Sequence, residues 1–154
     1  MSGASYGDAG ESIRTKVGTL KGIKDVIEAD LLISVEELIH AEFFDDLLSQ
    51  AEYLVTQSYF IAAGVLGRCV LEEFLRKWCD KAKCQIAKPE GKRTIEDHKA
   101  ALYAGQHLDK IQMKSIEVMA AVGNDCAHNT GKATKDQVEK MLRDVRDLLK
   151  RHGM

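Results

Sequence analysis

The spacing of apolar positions along the chain predicts helices. Residues 1–10 are small and polar, and we expect them to form a mobile leader. From Glu11 onward, apolar residues recur at three- and four-residue steps, which places them on one side of a helix with 3.6 residues per turn. No segment alternates with the period of two that a half-buried strand requires. The first predicted helix carries Ile13, Val17, Leu20, Ile27 and Leu31 on its apolar side.

A second helix is predicted to begin at Ser34. Ser34 and Glu37 have the spacing of a capping box, in which two side chains satisfy backbone N–H groups at a helix start. The nine carboxylates from Asp25 to Glu52, with no Lys or Arg among them, would lie on the outer side. The predicted inner stripe of this helix consists of Val35, Leu38, Ile39, Phe43, Leu47, Ala51 and Leu54.

The most apolar segment, from Phe60 to Lys83, is predicted to be the central helix, because a helix that is apolar on most sides must be surrounded. A loop follows, and Thr94 is expected to cap a short helix. Another helix is predicted from about Asp109 to Gly123. The last predicted helix begins after Thr134 and buries a seam of Val138, Met141, Leu142, Val145, Leu148 and Leu149.

These elements predict an all-α fold, an up-and-down helical bundle of about five to six helices. The chain has 154 residues, which favours one domain, and we expect it over residues 11–154. The first ten residues lack the basic start and apolar run of a secretory signal. No apolar stretch approaches the roughly 18 residues that a membrane span needs. We therefore expect a cytoplasmic protein without a membrane partner.

The four cysteines, Cys69, Cys79, Cys84 and Cys126, are expected to be reduced structural thiols. No pair has the two-residue gap with which two thiolates commonly grip one zinc ion, so neither a metal site nor a cofactor is predicted. Solvent-exposed positions are expected for the four histidines that lie outside the candidate site described below, namely His40, His98, His107 and His152.

Charge is segregated along the chain, although its formal net value is only −2. The nine carboxylates from Asp25 to Glu52 form an acidic block, and seven cations from Arg76 to Arg93 form a basic block. Such blocks are commonly solvated faces. The alternatives are an acidic surface that pairs with a basic surface on a second copy, or a basic surface that meets phosphates of a nucleic acid. The basic block consists of Arg76, Lys77, Lys81, Lys83, Lys88, Lys92 and Arg93.

Two features could carry chemistry. The segment Gly123–Asn129 interrupts the apolar pattern with polar residues that favour caps and turns, and it contains His128, which can exchange a proton near neutral pH. Arg68 and Glu72 lie about 40° apart on the central helix and border its apolar stripe. A charged residue in such a place is rarely left without a partner.

Together, in this order, these features resemble the HEPN-type helical domains, in particular a bacterial branch of unknown function found alone or attached to restriction and defence proteins. The resemblance covers about residues 50–149. The residues that match the branch's helix are Ala51, Glu52, Ala62, Ala63, Arg68, Leu71 and Glu72. A later helix that ends in Gly-Asn and Ala-His is matched by Gly123, Asn124, Ala127 and His128.

The resemblance implies a bundle of four to five helices that is frequently a homodimer. In nuclease members, an Arg four to six residues before a His cleaves RNA without metal, with both subunits contributing. The chain departs from that pattern, because Ala121, Val122 and Gly123, which lie seven, six and five residues before His128, supply no arginine. Arg68 could substitute only if the fold brings it beside His128.

Three functions follow as hypotheses. The first is a non-catalytic, homodimeric interaction or regulatory module that can contact nucleic acid in a defence or stress context. In it, Asn124 caps or turns a helix end, and His128 donates a hydrogen bond to Glu72 or to a backbone carbonyl. The second is a metal-independent ribonuclease with His128 as acid or base, assisted by Arg68, Asn124 and Glu72. The third is a nucleic-acid binder that uses the basic block.

Overall fold

The computed structural model describes the backbone of residues 7–152 and the side chains of residues 14–152. Within these residues there are only α-helices and one 3₁₀ turn, at Glu90–Lys92, so the all-α prediction is confirmed. The α-helices are α1 (Gly7–Thr56), α2 (Phe60–Lys81), α3 (Ile95–Ala104), α4 (Lys110–Ala127) and α5 (Lys135–Arg151). Of the predicted leader, residues 1–6 lie outside the described residues, and residues 7–10 are helical.

Backbone packing divides the chain into two compact units, Met1–His40 and Ala41–Met154. The second unit contains the bundle of α2 to α5 and the C-terminal part of α1. The first unit consists, where it is described, of the N-terminal part of α1. Helix α1 contributes residues to both units, and the expectation of one domain over residues 11–154 stays a prediction.

The predicted helix start at Ser34 is wrong. Ser34 lies inside α1, and its hydroxyl donates a hydrogen bond to the backbone carbonyl of Asp30 at 2.9 Å. A serine within a helix commonly bonds the carbonyl four residues back in this way. The capping-box spacing of Ser34 and Glu37 therefore does not mark a boundary here, because the helix continues on both sides of it.

The predicted inner stripe of this helix is wrong at its first four positions. Val35, Leu38, Ile39 and Phe43 are each about half exposed or more. The residues that α1 buries are Phe44, Leu48, Ala51 and Val55, with Leu47 and Leu54 partly buried against them. Adjacent residues are both apolar at 43–44, 47–48 and 54–55, so the sequence allows two different apolar stripes on this helix. In the structure, the second residue of each pair faces the core.

Helix α2 is the central helix, as predicted, and packs against α3, α4 and α5. It buries Val70, Leu71, Phe74 and Leu75. Two glycines of α2 permit close approach, because a Cβ atom at Gly67 would lie 2.7 Å from Leu142 Cδ2, and one at Gly64 would collide with the side chain of Cys126. A side chain at Gly64 would force α2 away from Cys126 of α4, and one at Gly67 would displace the side chain of Leu142.

Helices α3, α4 and α5 each begin with a capping box, formed by Thr94 with Asp97, Asp109 with Gln112, and Thr134 with Gln137. The predicted caps at Thr94 and Thr134 are therefore confirmed. All six seam residues predicted for α5 are buried. Helix α4 differs from the prediction, because it continues past Gly123 to Ala127.

Candidate functional site

Arg68 of α2 and Asn124 of α4 are joined by a hydrogen bond. The Nε atom of Arg68 donates to Asn124 Oδ1 at 2.8 Å, and its Nη1 lies 3.2 Å from Glu72 Oε2. We call these three residues the Arg68 cluster. The partner expected for a charged residue at the edge of the apolar stripe is thus, for Arg68, Asn124 of the segment Gly123–Asn129.

The cluster exists because α2 and α4 approach closely at Gly123, the residue before Asn124. A Cβ atom at Gly123 would lie 2.6 Å from Arg68 Cβ and 3.1 Å from Met141 Cε. The glycine that the sequence pattern suggests as a helix end is therefore a packing position inside α4. With Gly64 set against Cys126 and Arg68 against Gly123, the two helices run antiparallel.

His128 lies at the C-terminal cap of α4, one turn beyond Asn124. Its backbone N–H donates to the carbonyl of Asn124 at 2.9 Å, and its side chain is exposed. No hydrogen bond or ion pair links its ring to another residue within the described range. The predicted hydrogen bond from His128 to Glu72 or to a carbonyl is not formed, because the ring extends into solvent at the helix end.

The charges of the Arg68 cluster balance within it. The guanidinium of Arg68 faces one carboxylate, and both side chains are about one-third exposed. An anion that approached Arg68 would meet the negative charge of Glu72 beside it, which weakens the attraction. The Arg68 cluster is therefore a polar contact that links α2 to α4, with its opposite charges paired inside it.

Three members of the basic block are paired with neighbouring carboxylates. Arg76 Nη2 lies 2.6 Å from Glu73 Oε1, and Arg76 Nη1 lies 3.0 Å from Asp80 Oδ2. The hydrogen bond to Glu73 raises the pKa of Arg76 above its usual range. Lys77 lies 3.8 Å from the same Glu73, and Lys88 Nζ lies 2.7 Å from Asp97.

The other members of the block are divided between a structural contact and the exposed surface. Arg93 Nε donates to the carbonyl of Lys88 at 2.9 Å, which closes the loop before α3. Lys81, Lys83 and Lys92 are exposed. Whether this segment meets nucleic acid stays a prediction, and the positive charge available for it is smaller than the sequence count suggests.

Lys88 has a structural role that yields a pH prediction. Its hydrogen bond and those from Thr94 lower the pKa of Asp97 from 3.8 to about 2. Because the folded pKa is depressed, ionised Asp97 adds stability that is fully present above about pH 4 and is lost as the pH falls toward 2. We expect Asp97→Asn to reduce the pH dependence of unfolding between those values, measured by circular dichroism in urea. An unchanged acid limb in this variant would contradict it.

Several buried or paired groups were not identified from the sequence. His98 is only 3% exposed, and neither of its ring nitrogens has a hydrogen-bond partner among the described residues, so its predicted exposure is wrong. His152 is half-buried, with its ring centroid 3.9 Å from that of Trp78, and burial lowers its pKa. Hydropathy patterns give no signal for either, since histidine occurs on both faces of helices.

The ion pairs of Arg146 in α5 were also not predicted from the sequence. It forms an ion pair with Asp45, and its Nε lies 3.2 Å from Glu52 Oε1. Two carboxylates of the acidic block are therefore paired within the same chain. A charge pattern along one helix could not reveal this partner, because it lies about 100 residues away in sequence.

Cys79 and Cys126 are buried, and burial raises the pKa of both thiols, whereas Cys69 is exposed. All four are free thiols, and burial together with Cys84 raises the pKa of Cys79 to about 12. Among the described residues, no three His, Cys, Asp or Glu side chains are placed to hold a metal ion. None of the helices in this part of the chain combines the length and the apolar character needed to span a membrane.

Comparisons with known proteins return nothing that matches the chain, whether among protein-family models, curated proteins or solved structures. The structure defines an all-helical bundle in which the Arg68 cluster joins α2 to α4. The resemblance to HEPN-type domains therefore depends on the residues quoted from the sequence.

Proposed function

We propose that the chain is a non-catalytic HEPN-like interaction module that works as a homodimer. The observation that supports this most is the bonding of Arg68 in two directions, to Asn124 at 2.8 Å and to Glu72 at 3.2 Å. An arginine held in this way joins α2 to α4. Its Nε and Nη1 donors are already committed, and a carboxylate lies beside its charge.

Metal-independent cleavage of RNA requires two things that the site does not combine. One is a group that takes a proton from the ribose 2′-hydroxyl or gives one to the leaving oxygen, and His128 has the right chemistry for it. The other is a cation directed at the phosphate, where negative charge grows in the transition state. Ala121, Val122 and Gly123, which precede His128, supply no such cation.

The second candidate function is a ribonuclease in which His128 acts as acid or base. One observation favours it, namely that the ring is exposed and lies one turn, about 6 Å along the helix axis, beyond the Asn124 that binds Arg68. Arg68 would then have to release Glu72 to reach a phosphate. We place this function second because the resting cluster opposes that step.

A cleavage assay separates the two. Wild-type protein, His128→Ala and His107→Ala are incubated with mixed-sequence RNA in the presence of a chelator. His107 is a matched control, because it is also an exposed histidine but lies in the connection between α3 and α4. We expect all three proteins to leave the RNA intact. Cleavage by wild type and His107→Ala that yields cyclic phosphate ends and is lost in His128→Ala would refute the proposal.

Two measurements test whether the chain is an interaction module: its molar mass in solution, and the salt dependence of any binding to nucleic acid. Light scattering should give a dimer for wild type and for His128→Ala alike, because the side chain of His128 is exposed and no hydrogen bond within the described residues holds its ring. Any nucleic-acid contact through the basic block should weaken steeply as salt rises, since it depends on displacing counterions from phosphates.

A further inference from the structure

The first unit of the chain presents an apolar stripe to solvent. Six positions at alternating four- and three-residue steps lie within about 40° on either side of one line along α1. Four of them are large apolar residues: Leu20 is 66% exposed, Ile27 60%, Leu31 61% and Leu38 68%. The other two positions are Lys24 and Ser34.

A stripe of this kind calls for a partner. A long amphipathic helix in water gains most of its stability from packing its apolar face, and continuous exposed apolar surface marks interaction sites. A membrane surface fits poorly, because helices that lie on membranes carry Lys and Arg on the polar face, whereas residues 25–40 have five carboxylates and no Lys or Arg. The spacing is that of a coiled-coil seam, which fits another helix.

We infer that residues 14–40 of α1 pair with the same residues of a second copy as an antiparallel two-helix coiled coil. The inference rests on the proposed function in one respect, that the module is a homodimer. It specifies the face, the orientation and the register of that dimer.

The stripe itself indicates the register, because its six positions are symmetric about residue 29. Centring the pair there places Leu20 opposite Leu38 of the partner subunit and Ile27 opposite Leu31 of the partner subunit. It also sets the two polar interruptions against each other, with Lys24 opposite Ser34 of the partner subunit. Each apolar side chain thus meets an apolar one, and a polar seam position fixes the alignment.

Charge favours the antiparallel orientation. Residues 14–24 hold four cations and no carboxylate, and residues 25–40 hold five carboxylates and no Lys or Arg. Antiparallel pairing about residue 29 lays the basic part of one copy along the acidic part of the other. In-register parallel pairing would face like charges throughout and would bring Lys24 against its own copy in the seam.

At the centre of the seam, repulsion between like charges opposes pairing. Glu28 and Asp30 flank residue 29 and would approach their own copies across the symmetry axis. Lys24, whose Nζ lies 3.5 Å from Glu28 Oε1, offsets part of that repulsion. Over residues 14–40 the helix is about 40 Å long, close to four heptads, which is long enough for a stable seam.

The test compares two neighbouring leucines by sedimentation equilibrium over a range of protein and NaCl concentrations. Leu31 lies in the proposed seam. Leu32 is 70% exposed and lies about 120° around the helix from the line of the seam, so Leu32→Glu adds the same charge outside the seam. We expect wild type and Leu32→Glu to be dimers, and Leu31→Glu to have a dissociation constant at least about 100-fold higher. The wild-type constant should rise with salt, because opposite charges face each other.

Four results would overturn the inference. A Leu31→Glu dimer as tight as wild type would assign the dimer to another face, and equal weakening by Leu32→Glu would remove the seam. A constant that falls with salt would indicate parallel pairing. A wild-type monomer that floats with phosphatidylcholine vesicles would assign the stripe to a membrane. The non-catalytic assignment fails separately, through RNA cleavage, and a dimer that Leu31→Glu leaves intact would keep the proposed homodimer while removing this interface. Trp78 fluorescence checks that the second unit stays folded.

Discussion

Phe44→Ala is expected to lower the free energy of unfolding by about 3–5 kcal/mol. The ring of Phe44 is fully buried in the core of the second unit, where α1 also contributes Leu48 and Ala51. Truncation to alanine removes its contacts and leaves a cavity that the surrounding helices can fill only in part. Urea unfolding followed by circular dichroism measures the change from the midpoint and slope of the transition.

Phe43→Ala is the matched control, because it removes the same ring from the neighbouring position of the same helix. Phe43 is 53% exposed, and we expect its replacement to cost less than about 1 kcal/mol. The pair distinguishes the two apolar stripes that the sequence of α1 allows. If Phe43→Ala were the more damaging change, the register of α1 against the core would be wrong by one residue.

The helices were predictable where apolar periodicity and capping chemistry agree. Thr134 with Gln137 and the buried stripe from Val138 to Leu149 give the start and the inner face of α5 without ambiguity. Helix α1 was less predictable, because the adjacent apolar pairs of its C-terminal part fit two faces and because Ser34 bonds back to Asp30 within the helix. Local sequence cannot choose between a cap and such a bond, since the choice depends on whether the helix continues.

The candidate site was predictable in part. Arg68 and Glu72 had to find a partner near the apolar stripe, and Asn124 is that partner. The state of His128 was not predictable, because whether α4 stops at Gly123 or continues decides where the histidine points. The ion pairs of Arg76 with Glu73 and Asp80, and of Lys88 with Asp97, depend on side-chain geometry. Counting charges along the sequence cannot predict them.

Gly123 links the fold to the candidate site, and Gly123→Val is expected to lower the free energy of unfolding by about 3 kcal/mol. A Cβ atom there would lie 2.6 Å from Arg68 Cβ, which is fixed to the backbone of α2 and cannot rotate away. The helices would have to separate at the point where Arg68 bonds Asn124. Chemical denaturation of the purified variant measures the loss.

The sign of a smaller change at the same position tests this reasoning most directly. By helix propensity alone, Gly123→Ala should stabilise α4 by about 1 kcal/mol. We expect it to destabilise instead, because even one methyl group overlaps α2. Gly22→Ala is the control, since a Cβ atom at Gly22 meets nothing within 4 Å and the propensity gain should appear there undiminished. If both alanines stabilise the protein equally, α2 and α4 do not make the close contact on which the Arg68 cluster depends.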